Sequence, residues 1–332
     1  MPFWRKETDE EKQEKARQEA TLQALERGEL PPIARERIER ERAYGKSFFS
    51  SDLTSREFLL TREAGFQPLG QVMGTSFFKI GFWGAFNKYQ TLTDELPHVT
   101  AAISKARKTA INRLKQEAQL LGASGVIGVH VKMKRHEWAS NMTEFTAYGT
   151  AIRIPDWPAD EEPFTSSLNG QEFWQLYKAG YLPRSLVMGA CAFYMHMNSN
   201  VRQVCYGWFS PNQELSSYTL GYQAAAQRAR FRMQEEIAAL HADGAVGVRI
   251  DPGLETIKWE MNDTEYTDLL LNFVILGTAV SAHPQKEQTH PAPLLCLNLR
   301  NKSYERISPY DMNANNYWEA QGENLLDDFG DE

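Results

Sequence analysis

"LGASGVIGVHV", residues Leu121 to Val131, has the glycine density of a loop that cradles phosphate, and its reading decides the fold. A phosphate cradle needs a strand that runs into a glycine-rich turn, so that the free N–H groups of the next helix's first turn point at the anion. Here the order is reversed. Thr93 to Leu121 reads as a helix, and Val126, Ile127, Val129 and Val131 read as a strand. The glycines therefore sit at a helix C-terminus, where carbonyl oxygens and partial negative charge repel phosphate. Gly122 is then the left-handed residue that ends the helix, and Gly125 and Gly128 permit close backbone approach in a buried strand.

Working outward, the chain repeats itself. GFQPLGQVMG (Gly65 to Gly74) returns as GYLPRSLVMG (Gly180 to Gly189), and GASGVIGVHV (Gly122 to Val131) returns as HADGAVGVRI (His241 to Ile250). YGTAIRI (Tyr148 to Ile154) returns as LGTAVSA (Leu276 to Ala282), and EFLLTREAGF (Glu57 to Phe66) as EFWQLYKAGY (Glu172 to Tyr181). Matches in one order imply two tandem copies of a domain. Ile103, Ala106, Ala110, Leu114, Ala118 and Leu121 fall at spacings of three and four, and so do Tyr222, Ala225, Ala229, Met233, Ile237 and Leu240. Each set makes one apolar helix stripe, and the small alanines let that helix lie close to a sheet. Each unit reads as strand, strand, helix, strand, strand, an α/β (α+β) domain in which a small sheet is covered by one long helix. The second helix starts with Ser210 as cap and Pro211 at its first position, and Pro252 and Gly253 form a turn after the strand that follows it. The glycines common to both copies, Gly125, Gly128 and Gly149 and then Gly244, Gly247 and Gly277, read as structural. A sheet covered on one face leaves the other open, and the sister repeat or another chain is expected to cover it.

The pattern A-R-x-x-A-x-x-R-L-x-x-E-A (Ala106 to Ala118), followed by G-A-S-G-V-I-G-V (Gly122 to Val129) and closed by Y-G-T-A (Tyr148 to Ala151), resembles the YbjQ-like family, whose members carry a heavy-metal-binding-domain label. The resemblance covers Gly65 to Ile154 and, more loosely, Gly180 to Ala282, with His241 and Leu276 replacing the usual Gly and Tyr of the second copy. It implies a compact α/β domain that assembles into rings, typically pentamers, with a biochemical role largely unassigned.

The residues themselves offer little to a metal. Soft metals need two to four Cys or His ligands converging on one point, and copy one has no Cys. His130 and His136 lie on one strand, about 20 Å apart if it is extended. Cys191 and His196 would project to opposite faces of a regular strand, unless a bulge brings them together and Cys205 joins from a neighbouring strand. These three are the candidate metal ligands, set against the reading of Cys191 as a small buried hydrophobe. No other cofactor is expected. No nucleophile elbow, zincin helix or repeated carboxylate pair occurs, so the chain reads as non-enzymatic.

Composition bounds the rest. The 332 residues, 42% hydrophobic, suffice for two cores. The net charge is -7, and Asp311 to Glu332 alone carries seven acidic side chains without a Lys or Arg, which argues against nucleic acid as a partner. The start MPFWRKETDEEK has no apolar targeting region, and LLLNFVILGTAV (Leu269 to Val280) is too short to span a bilayer, so a cytoplasmic protein with reduced thiols is expected. Lys105, Arg107, Lys108, Arg113 and Lys115, with Arg228, Arg230 and Arg232, read as solvated helix faces, a patch for an anionic partner being the alternative. Asp94 and Glu95 read as helix N-terminal charges. The aromatics of SFFKIGFWGAF (Ser76 to Phe86) read as strand core or an oligomer interface.

The expected organisation is a charged helical arm over 1–46, with Thr8 and Glu11 as a capping box and Gly28 as its first stop. A first domain with its lead-in helix follows over 47–155, a linker over 156–168 and a second domain over 169–283. An extra strand and linker over 284–310 and a disordered acidic tail over 311–332 complete the chain. The function that follows is an oligomeric scaffold, a homo-oligomer in a pentameric ring whose acidic tail meets an unknown protein partner. The alternative is a small-ligand or heavy-metal sensor.

Overall fold

The computed structural model describes residues 9–43, 50–80, 93–136, 142–155, 157, 162–206, 212–261, 264–282, 296–297 and 304–305. Two helices form the arm, α1 (Asp9–Glu26) and α2 (Pro32–Ala43), separated by Gly28 in a left-handed conformation at φ +74°. Thr8, the anticipated cap, lies outside the described residues, as do 81–92, 207–211 and the acidic tail. Each repeat then opens on a short helix fixed by a reciprocal capping box. Thr54 and Glu57 start α3 (Ser55–Glu63), and Asn169 and Glu172 start α5 (Gly170–Lys178). Copy one continues with β1 (Gln67–Lys79), β2 (Asp94–Glu95), α4 (Pro97–Leu120), β3 (Gly125–His136) and β4 (Met142–Arg153). After β5 (Phe164–Thr165), copy two supplies β6 (Tyr181–Met195), α6 (Ser199–Tyr206), α7 (Ser216–Ala239), β7 (Gly244–Met261) and β8 (Thr264–Ala282). Cys296–Leu297 (β9) and Tyr304–Glu305 (β10) pair beyond them.

Each repeat owns three antiparallel strands and borrows a short fourth. The first sheet runs β1-β4-β3-β5 and the second β2-β6-β8-β7, so β5 leads copy two but completes the first sheet, while β2 belongs to copy one but completes the second. Copy one follows the expected order of strand, strand, helix, strand, strand, but its second strand pairs in the sheet of copy two and not in its own. The segment read as a linker ends in β5, which is buried.

The layers alternate as first sheet, α4, second sheet, α7. One face of β6 (Leu186, Met188, Ala190, Ala192, Tyr194) packs into a core with Ile103, Ala106, Ala110 and Leu114 of α4. Its other face (Val187, Cys191, Phe193, Met195) packs on Ala225, Ala229 and Met233 of α7. Successive side chains of a strand point to opposite faces, so β6 reads as a near-continuous buried apolar run while β1 alternates. The sister repeat thus covers the open face of the second sheet. On α7 the apolar stripe is only partly covered, and Tyr222 and Leu240 remain exposed because no further sheet lies over them. A third core around Phe66, Ile127, Ile152, Phe164 and Phe173 ties the lead-in segments to the first sheet.

Two glycine positions are dictated by geometry. A methyl at Gly74 would overlap the Ala110 carbonyl oxygen, and one at Gly189 would overlap that of Ala229, so each helix rests directly on a strand backbone. Gly128 and Gly247 have φ +62° and +61° at bulges where the register with the next strand slips, a backbone requirement that at Gly128 replaces the expected close approach, since a methyl there would meet nothing within 4 Å. His241, in the place of Gly122, adopts the same left-handed conformation at φ +49°.

Several boundaries shift from their sequence reading. Helix α4 begins at Pro97, since Asp94 and Glu95 are strand, and α7 begins at Ser216 behind Leu215 instead of at Pro211. Strand β7 runs unbroken through Pro252 and Gly253. It lies at the sheet edge, where a missing proline N–H costs no ladder hydrogen bond. Among the described residues no helix is long and apolar enough to cross a membrane.

Gly189→Ala is expected to lower stability by about 3 kcal/mol, the cost of forcing a helix off its strand. Gly244→Ala, whose added methyl meets nothing within 4 Å, should leave the urea midpoint nearly unchanged. Equal midpoint shifts would show that the helix does not rest on Gly189.

Candidate functional site

The chemistry of this molecule concentrates where the two repeats meet. Strand β2 lies antiparallel to the end of β6, with Leu96 donating its N–H to the Ala192 carbonyl at 2.8 Å. The Thr100 hydroxyl takes the Ala192 N–H at 2.9 Å and donates to Glu95 Oε1 at 2.8 Å. Glu95 is in turn gripped from copy two, with Arg232 Nη2 2.8 Å from Oε1 and Arg228 Nη1 3.3 Å from Oε2, while Arg228 also reaches Asp94 at 2.9 Å. Burial opposes the charge of Arg232, but the hydrogen bond and charge of Glu95 outweigh it and hold its pKa above the usual value. The Glu95 N–H, set against slight burial and joined by Arg228, holds Asp94 below the usual carboxylate range.

The second stitch is the segment from Phe164 to Leu168. On one side Ser166 donates to the Val126 carbonyl, Val129 to that of Ser166 and Gly128 to that of Leu168, each at 2.8 Å. On the other, the Ser167 N–H reaches the Thr278 hydroxyl at 2.9 Å and the Leu186 N–H reaches that of Thr165 at 3.0 Å. Thr165, Ser166, Ser167 and Leu168 are all buried, and their counterparts in copy one, Ser50 to Leu53, are exposed or half-buried.

Two carboxylates, Glu117 buried and Glu236 half-buried, repeat one device. Glu117 Oε2 accepts the Met73 N–H at 2.9 Å, and Glu236 Oε2 accepts the Met188 N–H at 2.8 Å, each helix satisfying a donor on the adjacent strand. Arg113 and Arg232 donate Nη1 to the carbonyls of Thr75 and Ala190, which correspond in the repeat. The surroundings then diverge. Met188, under α4, is 6% exposed, whereas its counterpart Met73 is 51% exposed on the outer face of the first sheet. Val129, under β5, is 2% exposed, whereas its counterpart Val248 on the edge strand β7 is 47% exposed. Met73 and Val248 are therefore bare at positions whose counterparts are covered inside the chain.

The sequence candidates for metal do not gather at this junction. Cys191 lies on the α7 face of β6, where burial foremost, helped by Glu95 and opposed by Arg232 and Arg228, pushes its thiol up to about 12. His196 follows β6 with Nδ1 3.1 Å from the buried Asp268, which also takes the Tyr194 hydroxyl and the Met197 N–H. Cys205 is exposed on helix α6 and not on a strand beside Cys191. Among the described residues no group of three His, Cys, Asp or Glu side chains is placed to hold one ion. His130 stacks on Tyr148 with ring centroids 5.4 Å apart.

The basic residues expected to line solvated faces are partly structural. Arg107 is buried against the Met188 sulfur and over the Phe145 ring, and burial, opposed by Asp251, takes its pKa down to about 10. Lys108 crosses to Glu236 at 2.6 Å. Sequence reading missed the Glu95 junction because its arginine partners are more than a hundred residues away; the signal that both copies carry Glu five residues before Thr (Glu95 and Thr100, Glu214 and Thr219) was present.

Alkylation of the native protein at pH 8 should label Cys205 rapidly and Cys191 only with global unfolding, because the thiolate is the reactive form. Peptide mapping that finds native Cys191 labelled as fast as Cys205 would contradict the packing of β6 under α7.

A family described as "Putative heavy-metal-binding" matches residues 72–155. The chain is 32% identical over 274 residues to the Encapsulin nanocompartment protein Rv1762c of Mycobacterium tuberculosis, covering 80% of this chain and 97% of that protein. It is also 39% identical over 62 residues to the UPF0145 protein Ta0182 of Thermoplasma acidophilum, and 40% over 60 residues to a UPF0145 protein of Methanoregula boonei. Each of these two shares about half of its length with this chain, 50% and 48%. The family match over residues 72–155, together with the match to nearly the whole mycobacterial protein, establishes that the chain belongs to the YbjQ-like family.

Proposed function

We propose that this protein is a non-enzymatic self-assembling scaffold, in which the contact between its two repeats recurs between chains. The observation that carries the reading is the contrast between Met188 and Met73 and between Val129 and Val248, where equivalent positions are covered inside the chain and bare at its ends. In the recurring contact, the 213–215 segment of one chain lies along the outer edge of β1 in the next. Glu214, already bonded to Thr219 at 2.7 Å as Glu95 is to Thr100, meets Arg113. Ser50 to Leu53 of that next chain lies along β7 as β5 lies along β3. Such a contact joins different surfaces on the two partners, so it closes into a ring when the rotation per step permits and extends otherwise. The name of the mycobacterial relative, a nanocompartment protein, supports an assembling role, and the pentamers that the family resemblance implies favour five chains per ring. The acidic tail, rich in Asp and Glu around Trp318 and Phe329, is the segment that meets a protein partner.

The competing function is a metal or small-ligand sensor using Cys191, His196 and Cys205. Light scattering with metal analysis separates the two. The scaffold requires a discrete mass at a multiple of five 37.9 kDa chains without stoichiometric metal, and Glu214→Lys should raise the concentration for half-assembly by about tenfold, as loss of one charge-assisted pair implies. A monomer at every concentration with about one metal per chain, lost in Cys191→Ser, would overturn it in favour of the sensor.

A further inference from the structure

The arm takes, on copy one, two of the polar contacts that copy one takes on copy two. At the internal junction, Glu236 Oε1 receives Lys108 of α4 at 2.6 Å. At the matching place, Glu117 Oε1 receives Arg37 of α2 at 2.9 Å. Arg232 gives Nη2 to Glu95, whereas its counterpart Arg113 gives Nη2 to the Leu25 carbonyl at 3.2 Å and Nε to that of Glu29 at 3.3 Å. The Leu30 N–H adds a bond to Gln116 at 2.6 Å, and Leu30 and Ile38 are buried. Two of the three polar anchors that receive copy one on copy two, Glu236 and Arg232, thus have occupied counterparts on copy one, held by two helices whose sequence has no counterpart in the repeat, while the third, Arg228, is Thr109 there.

We propose that the arm is an internal stand-in for a preceding repeat, holding the polar anchors at the edge of the copy-one face on which a second copy of this chain docks. The inference rests on the self-assembly reading and names its regulation. An incoming copy offers Glu214 to Arg113 and Gln227, the counterpart of Lys108, to Glu117. The carboxylate improves on two backbone carbonyls, and the amide is weaker than Arg37, so neither occupant holds both anchors better. The arm also has the advantage of being tethered, which gives it a high effective concentration. Assembly therefore has a threshold set by how often the arm lifts.

The test uses the full-length chain. Arg37→Glu places like charges at Glu117, and Ile38→Asp puts a carboxylate into the arm's buried contact. Limited trypsin digestion should cut the arm of both variants faster while the repeats stay intact. Sedimentation across a concentration series should show half-assembly at a concentration lowered by about tenfold or more, since removing a competing closed state raises apparent affinity by the inverse of the open fraction. Adding Glu214→Lys to either variant should return the threshold to or above that of the unaltered chain. If the variants release the arm but assemble at the unaltered threshold, the arm is not a stopper and self-assembly stands without it. An arm that stays protected in both variants overturns the proposal as well, because Arg37 and Ile38 would then not hold it. If the unaltered chain and both variants remain monomeric throughout, the proposal and the assembly reading fall together.

Discussion

The structure depends on one strand being buried on both faces. Strand β6 carries side chains for α4 on one side and α7 on the other, so neither repeat is complete until the two have stacked. Each buried large apolar side chain contributes roughly 1.5–3 kcal/mol, so the stacking of the second sheet on α4 is a large share of what holds the chain in this form. The polar network of Glu95, Arg232, Thr100 and Ala192 sets the register of that stacking more than its strength. Pairing a desolvated carboxylate with a guanidinium returns little net stability, while leaving one of them unpaired costs a great deal.

A contact of this kind joins two different surfaces, and a tandem chain necessarily carries a spare copy of each. That follows from duplication and needs no special adaptation. What the sequence adds is how the spare surfaces are treated. On the copy-two end β7 presents Val248, Ile250 and Leu254 to solvent, and on the copy-one end β1 presents Met73 and Phe77. The polar groups that organise the internal contact, Arg113, Glu117 and the Glu214–Thr219 pair, are retained at the ends. The arm sits against two of them, which makes the copy-one end the guarded one.

Much of this was legible in the sequence. The repeat, the helix-to-strand joint at Gly122, the apolar helix stripes and the break of the arm at Gly28 all arise from local rules of periodicity and capping, and the structure shows each of them. The exchanged strands were not legible. A two-residue strand such as Asp94–Glu95 has no periodicity to detect, and it reads equally as the acidic start of a helix. Pro252 and Gly253 suggested a turn because their edge position is a property of the assembled sheet and not of the segment. The roles of Arg113 and Arg232 were hidden for the same reason. A basic residue on a helix is solvated by default, and only the tertiary partner removes it from water.

Hydrogen exchange at single-amide resolution, followed across a concentration series, tests most directly whether the internal contact recurs between chains. The N–H groups of Gly128 and Val129 are held by Leu168 and Ser166 within one chain. The account predicts that their counterparts, Gly247 and Val248, exchange fast in dilute protein and become protected as concentration rises, together with the 213–215 segment. Exchange at these amides that stays the same over the whole range would contradict it.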